Sequence, residues 1–111
     1  MRLTIIADDQ MIGKDSEFYR NIDLSQLPSN VHALQWYDTW GEIEYKTVVS
    51  NGVKTRQANT IIESIDPYNW ALTAWESAKA AYEAEVAAKE AADAAEQAAL
   101  AAALEEAAAN P

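Results

Sequence analysis

Two hydrophobic patterns divide this chain. Up to residue 66, apolar side chains fall in short runs that alternate with polar ones and are broken by turn residues. From residue 67 onward they recur at helical spacing and then give way to alanine.

In the first part, Leu3-Thr4-Ile5-Ile6-Ala7 is rich in β-branched residues and predicts a strand. Asp8-Asp9-Gln10 begins a turn, and Gly13 with Lys14-Asp15 reads as another. Glu17–Arg20 predicts a short strand, and Asp23–Asn30 has the composition of a loop or a single helical turn. Val31–Tyr37 alternates, which sets His32, Leu34 and Trp36 on one face. Asp38-Thr39-Trp40-Gly41 predicts a hairpin loop. Glu42–Lys46 follows with Ile43 and Tyr45 inward and its charges outward. Thr47-Val48-Val49 extends that strand up to Ser50-Asn51-Gly52, whose Asn-Gly pair is a strong two-residue turn signal. A last strand is expected around Thr60–Glu63.

The second part starts at Asp66-Pro67, an N-cap residue followed by a proline suited to the first helical position. From Tyr68 to Ala109 there is neither proline nor glycine, and 20 of the 40 residues from Ala71 to Asn110 are alanine. Alanine is the strongest helix former, so residues 67–109 predict one helix, ended by Asn110-Pro111. At ~1.5 Å per residue it would run about 65 Å. Tyr68, Leu72, Trp75, Tyr82 and Val86 share a face, which predicts that about five turns dock on the sheet. Leu100 and Leu104 return in phase later. For the alanine-rich rear, three readings stay open: a solvated helix, a close helix–helix contact through small residues, or a frayed tail. The fold class expected is therefore α+β. A small antiparallel β-meander (residues 1–66) precedes one long C-terminal Ala-rich α-helix (residues 67–111).

Composition narrows the function classes. A chain of 111 residues fits one core. Nine of its ten aromatics lie between Phe18 and Trp75, which puts that core early in the chain. With 18 acidic and 8 basic side chains the net charge is −10. Residues 1–67 carry −4 and residues 68–111 carry −6. Such a polyanion is repelled by phosphate backbones and anionic headgroups, so neither nucleic acid nor membrane is an expected partner. The first residues form too short an apolar run for a signal peptide. Without cysteine there is no disulfide, and a cytosolic protein is expected.

Candidate chemistry is sparse, and no catalytic residue, metal site or cofactor is expected. His32 is the only histidine, and beside Leu34 and Trp36 it reads as a packed core residue. Asp8, Asp9 and Asp15 miss the spacing of a calcium loop. Glu42 and Glu44 share a strand face, as a glycosidase pair would, but on the side expected to be wet. Trp36, Trp70 and Trp75 are expected in the core. Trp40 sits at a loop tip. It is either a binding anchor or a ring folded back over Tyr37 or Tyr45. The candidate partner-binding residues are accordingly Trp40, Tyr37, Tyr45, Leu100 and Leu104.

One segment carries a resemblance. Ile22-Asp23-Leu24-Ser25-Gln26-Leu27-Pro28-Ser29-Asn30-Val31-His32-Ala33-Leu34-Gln35-Trp36 resembles small proteins encoded beside tail-fibre genes in tailed phages, often described as tail-fibre assembly proteins or chaperones. Their core is followed by a glycine-containing turn and an "IEY"-like strand, here Glu42-Ile43-Glu44-Tyr45. An acidic-proline-aromatic junction then leads into a Trp-containing helix, here Asp66-Pro67-Tyr68 and Trp70 to Trp75. The resemblance covers roughly residues 1–86, while the alanine-rich extension and Trp40 depart from the pattern. It implies a bacteriophage tail-fibre assembly protein that acts by contact with the tail-fibre polypeptide in the host cytoplasm. The alternative is a structural virion protein retained in the tail or baseplate. Self-association through the C-terminal helix is a further expectation.

Overall fold

The computed structural model describes residues 1–109; the stop signal expected at Asn110-Pro111 lies outside them. The fold is a small antiparallel sheet followed by one long C-terminal helix. It divides into a compact unit of Met1–Lys79 and a second unit beginning at Ala80.

In the first unit, β1 (Arg2–Ile6), β2 (Met11–Lys14), β3 (Glu17–Tyr19), β4 (Val31–Tyr37), β5 (Gly41–Tyr45) and β8 (Thr60–Ile62) form a six-stranded sheet. Its order is β3-β2-β1-β4-β5-β8, antiparallel throughout. β6 (Val48–Ser50) and β7 (Val53–Thr55) pair only with each other. The expected extension of the Glu42–Lys46 strand through Val49 is thus corrected, since the chain leaves the sheet at Lys46 and returns at Thr60. Lys46 N–H donates to the Asn30 carbonyl (2.8 Å) at that departure point.

Alternation decides which face is wet. Leu3, Ile5, Ile12, Leu34, Trp36 and Ile43 are buried on the inner face, aligned across the strands by register. The outer face carries Thr4, Gly13, Phe18, Gln35, Glu42 and Ile61 in one cross-strand row. There the Thr4 hydroxyl donates to Gln35 Oε1 (2.8 Å).

Two segments cover the inner face. One is the loop after β3, where Ile22 and Leu27 are buried and Leu24 half-buried. An Asx turn shapes it: Ser25 N–H donates to the Asp23 carboxylate at 2.9 Å, which holds the Asp23 pKa below the usual carboxylate value. The segment carrying the tail-fibre resemblance is therefore largely this loop and the central strand β4.

The other cover is the start of α1 (Asn69–Ala109), entered through a 3-10 turn at Asp66–Tyr68 with proline in its first turn. Asp66 lies inside that turn, and the residue before it, Ile65, makes no side-chain cap. Trp75 is the anchor. Its Nε1–H donates to the Glu17 carbonyl (2.9 Å), and its ring meets Tyr19 edge-on at 5.7 Å. Lys14 and Lys79 place their Nζ atoms 5.1 and 5.3 Å from the ring centroid. Lys79 also pairs with Glu17 at 3.2 Å. The helix buries Ala71 and Trp75, with Leu72, Ala74 and Ala78 packed alongside. In the second unit, Tyr82 is 54% and Val86 36% exposed. The inner face is already covered by Tyr68, Ala71, Leu72 and Trp75 together with Ile22, Leu24 and Leu27.

In the second unit, every residue from Ala80 to Ala109 is exposed. This part of the helix is held by alanine propensity rather than by burial. Substituting Ala95 with glycine is expected to cost about 1 kcal/mol of helix propensity. It should lower the circular dichroism at 222 nm yet leave the thermal transition of the tryptophan signal in place.

Candidate functional site

The Asp38–Trp40 loop between β4 and β5 presents an exposed ring, Trp40. Asp38 turns the chain with φ of 89°, a left-handed conformation that aspartate tolerates better than most residues. Tyr37 N–H closes the loop on the Trp40 carbonyl at 2.7 Å. Gly41, expected in the turn, is instead the first residue of β5, paired with Trp36. With the loop closed in this way, the Trp40 ring lies on the Tyr37 ring, centroids 4.8 Å apart and tilted by 41°. Trp40 nonetheless stays 43% exposed.

Charged groups surround the pair. Arg2 lies 5.4 Å from the Tyr37 ring centroid, and the Tyr37 hydroxyl donates to Glu42 at 3.3 Å. Partial desolvation and the nearby Glu42 carboxylate raise the Tyr37 pKa above its ordinary value, so the phenol stays neutral and available as a donor. The Met1 ammonium sits 2.7 Å from Asp38, and that hydrogen bond raises its pKa. The result is an amphipathic patch: two stacked rings with a guanidinium, an ammonium and carboxylates at the rim.

Of the expected partner-binding residues, the structure brings Trp40 and Tyr37 together. Tyr45 is not with them. It sits at the other end of β5 and on the inner face, its hydroxyl 2.6 Å from Thr60 Oγ1. Leu100 and Leu104 are exposed in the second unit. At 3.6 residues per turn, the residues there other than alanine from Tyr82 to Leu104 share one side, within roughly 160° of arc. The opposite side is alanine alone from Ala80 to Ala103, centred on Ala84, Ala88, Ala91, Ala95, Ala98 and Ala102. That one-sided pattern lies in the spacing of the alanines and not in that of the large residues.

His32 is corrected as well. Its side chain is 43% exposed, with Nδ1 3.7 Å from the Asp8 carboxylate. A β-bulge between Val31 and Ala33 is the reason: the extra residue lets Val31 take the inward place. Among the described residues no cluster of three or more histidine, cysteine or acidic side chains is placed to hold a metal ion, and no helix is long and apolar enough to cross a membrane.

Comparison with known proteins adds no relative: no family model matches this chain, nor does any curated protein or solved structure.

Proposed function

We propose that this protein works by protein–protein contact as a bacteriophage tail-fibre assembly helper, holding the tail-fibre polypeptide until it trimerises. The observation that carries the contact role is the Trp40–Tyr37 pair, half exposed on a closed loop with charges at its rim. Rigid tryptophan and tyrosine rings bury large area at little entropic cost, and they dominate binding hot spots. The assignment to tail fibres rests on the sequence resemblance of Ile22–Trp36. Acidic charge on the exposed helix would keep the complex soluble.

Co-expression with the neighbouring fibre polypeptide tests this reading. Equal yields of soluble fibre trimer with and without this protein would end the helper role. Trp40→Ala is expected to weaken fibre binding by about 2 kcal/mol, roughly 30-fold. Because the ring is exposed, the unfolding midpoint should barely move.

A second reading, a structural protein retained in the phage tail or baseplate, draws on the alanine-only side of the helix. Small side chains let two helices approach closely, which suits permanent packing against a neighbour. Mass spectrometry of purified particles separates the two. Stoichiometric copies favour the structural role, and absence favours the helper acting in the host cytoplasm.

A further inference from the structure

The most basic part of the molecule is a small β-arm that the first unit holds out from its sheet. Residues 45–62 form the longest stretch of the chain without a carboxylate. They include Lys46, Lys54 and Arg56, for a charge of +3, whereas the rest of the chain sets five basic residues against 18 acidic ones, for −13. Within this stretch β6 and β7 pair in register Val48↔Thr55, Val49↔Lys54 and Ser50↔Val53. Asn51 (φ 52°) and Gly52 (φ 76°) supply the two left-handed residues that this tight turn requires. The arm is thus a preformed hairpin. Every one of its residues is exposed, and Val48, Val49 and Val53 each show more than half their surface.

Solvation explains neither the valines nor the charge separation. Branched apolar residues on both faces of a two-stranded sheet are costly unless covered. Such a sheet also has two open edges, each offering backbone N–H and C=O groups. Where the arm leaves the sheet there is a cleft of about 410 Å³ lined by Lys46, Thr47 and Arg56 with His32, Tyr45 and Asp8. A guanidinium there presents the paired donors that a carboxylate accepts.

The structure assigns this arm to an acidic polypeptide segment in extended conformation, added as a strand to one edge. Its carboxylates meet Lys54 on the face shared with Val49, and Lys46 and Arg56 at the base of the arm, while its alternate apolar residues cover Val48 and Val53 on the other face. Charge decides among occupants. Two arms, each +3, repel one another, so pairing with the arm of a second copy is disfavoured. Nucleic acid would satisfy the three cations, but its charge density meets the −13 of the rest of the chain. A short acidic strand supplies carboxylates in the local geometry and, with few charges instead of a continuous polyanion, meets less of that repulsion. This assignment goes beyond the tail-fibre reading and does not rest on it.

Fluorescence polarisation of a labelled ten-residue peptide alternating glutamate and valine, titrated with the full chain, tests the assignment. Saturable binding is expected at an ionic strength of about 0.02 M, weakened roughly tenfold or more at about 0.3 M, where the Debye length is much shorter. A peptide alternating lysine and valine should not bind. The double substitution Lys54→Glu, Arg56→Glu should abolish binding, and Val48→Thr, Val53→Thr should weaken it several-fold. Both sets should leave near-ultraviolet circular dichroism unchanged, because the arm lies outside the core. Equal binding by the wild type and Lys54→Glu, Arg56→Glu would overturn the assignment, as would tighter binding to a DNA duplex at the same ionic strength. Self-association through the arm, seen by sedimentation and reversed by the peptide, would overturn it too, by naming a second copy as occupant. None of these results touches the fibre co-expression experiment.

Discussion

Replacing Trp75 with alanine is expected to cost about 3–5 kcal/mol, the range for truncating a buried aromatic. That is a large share of the roughly 5–15 kcal/mol that stabilises a typical domain. Three losses combine. The ring, 6% exposed, leaves a void on the inner face of the sheet. Its edge contact with Tyr19 disappears, a term of about 0.5–1.5 kcal/mol beyond area. The hydrogen bond to the Glu17 carbonyl disappears as well, worth about 0.5–1.5 kcal/mol net because that carbonyl is on an edge strand within reach of water. Trp75→Phe keeps most of the burial and loses the N–H, so it should fall between wild type and Trp75→Ala. Denaturant unfolding followed by near-ultraviolet circular dichroism measures both. The far-ultraviolet signal should behave differently, keeping part of its helical intensity after the tertiary signal of Trp75→Ala has collapsed. The exposed turns after Ala80 draw their stability from propensity and not from this core. A cost below about 1 kcal/mol would show that Trp75 does not clamp α1 to the sheet.

How much of this was legible depends on the kind of signal. The β4–β5 hairpin and the inward Ile43 and Tyr45 follow from period-two alternation, which burial enforces directly. The helix follows from alanine and from the lack of proline and glycine. Its docked length does not follow, because Tyr82 and Val86 are in phase with Trp75 yet exposed. Periodicity identifies a face, but it carries no information on how far a neighbouring surface extends. His32 was misplaced by one inserted residue, because a bulge breaks alternation without leaving a mark in composition. The candidate site was half legible. Trp40 stood out as a ring beside turn residues, but its stacking on Tyr37 depends on the left-handed Asp38, which no pattern announced. The arm was half legible: its Asn51-Gly52 turn follows from the sequence, but the β-branched Thr47-Val48-Val49 run looks continuous with the preceding strand, although the chain has already left the sheet.

Glycine was the most misleading residue, and the reason yields the second large effect. Of the three glycines only Gly52 has positive φ; among the described residues the other left-handed positions are Gln10, Asp15, Ser16, Asn21, Asp38 and Asn51. Gly13 and Gly41 lie in strands, where what matters is the missing side chain. A Cβ on Gly13 would fall 2.2 Å from the Phe18 ring, but Phe18 is half exposed and can swing away. Gly13→Ala is therefore the milder change.

Gly41 has no such relief. A Cβ there would lie 2.5 Å from the Gln35 carbonyl oxygen, 2.9 Å from Trp36 Cε3 and 3.2 Å from Ile62 Cγ1. The first of these is backbone of the adjacent strand, and the second belongs to a ring that is 4% exposed in the core. The carbonyl cannot yield without parting β4 from β5, nor the ring without disturbing the packed core. Gly41→Ala is expected to cost about 1–3 kcal/mol, as overpacking does, and Gly41→Val more. The strain should spread to the loop, because Gly41 follows Trp40, whose carbonyl accepts the Tyr37 N–H. Amide exchange at Tyr37 should then quicken in Gly41→Ala beyond the change that global destabilisation accounts for. A Trp36→Leu background separates the two clashes. If the ring is the main obstacle, the cost of Gly41→Ala should largely vanish there; if the Gln35 carbonyl is, most of it should persist. The shorter distance favours persistence, so it is the backbone of β4 that requires a glycine at this place.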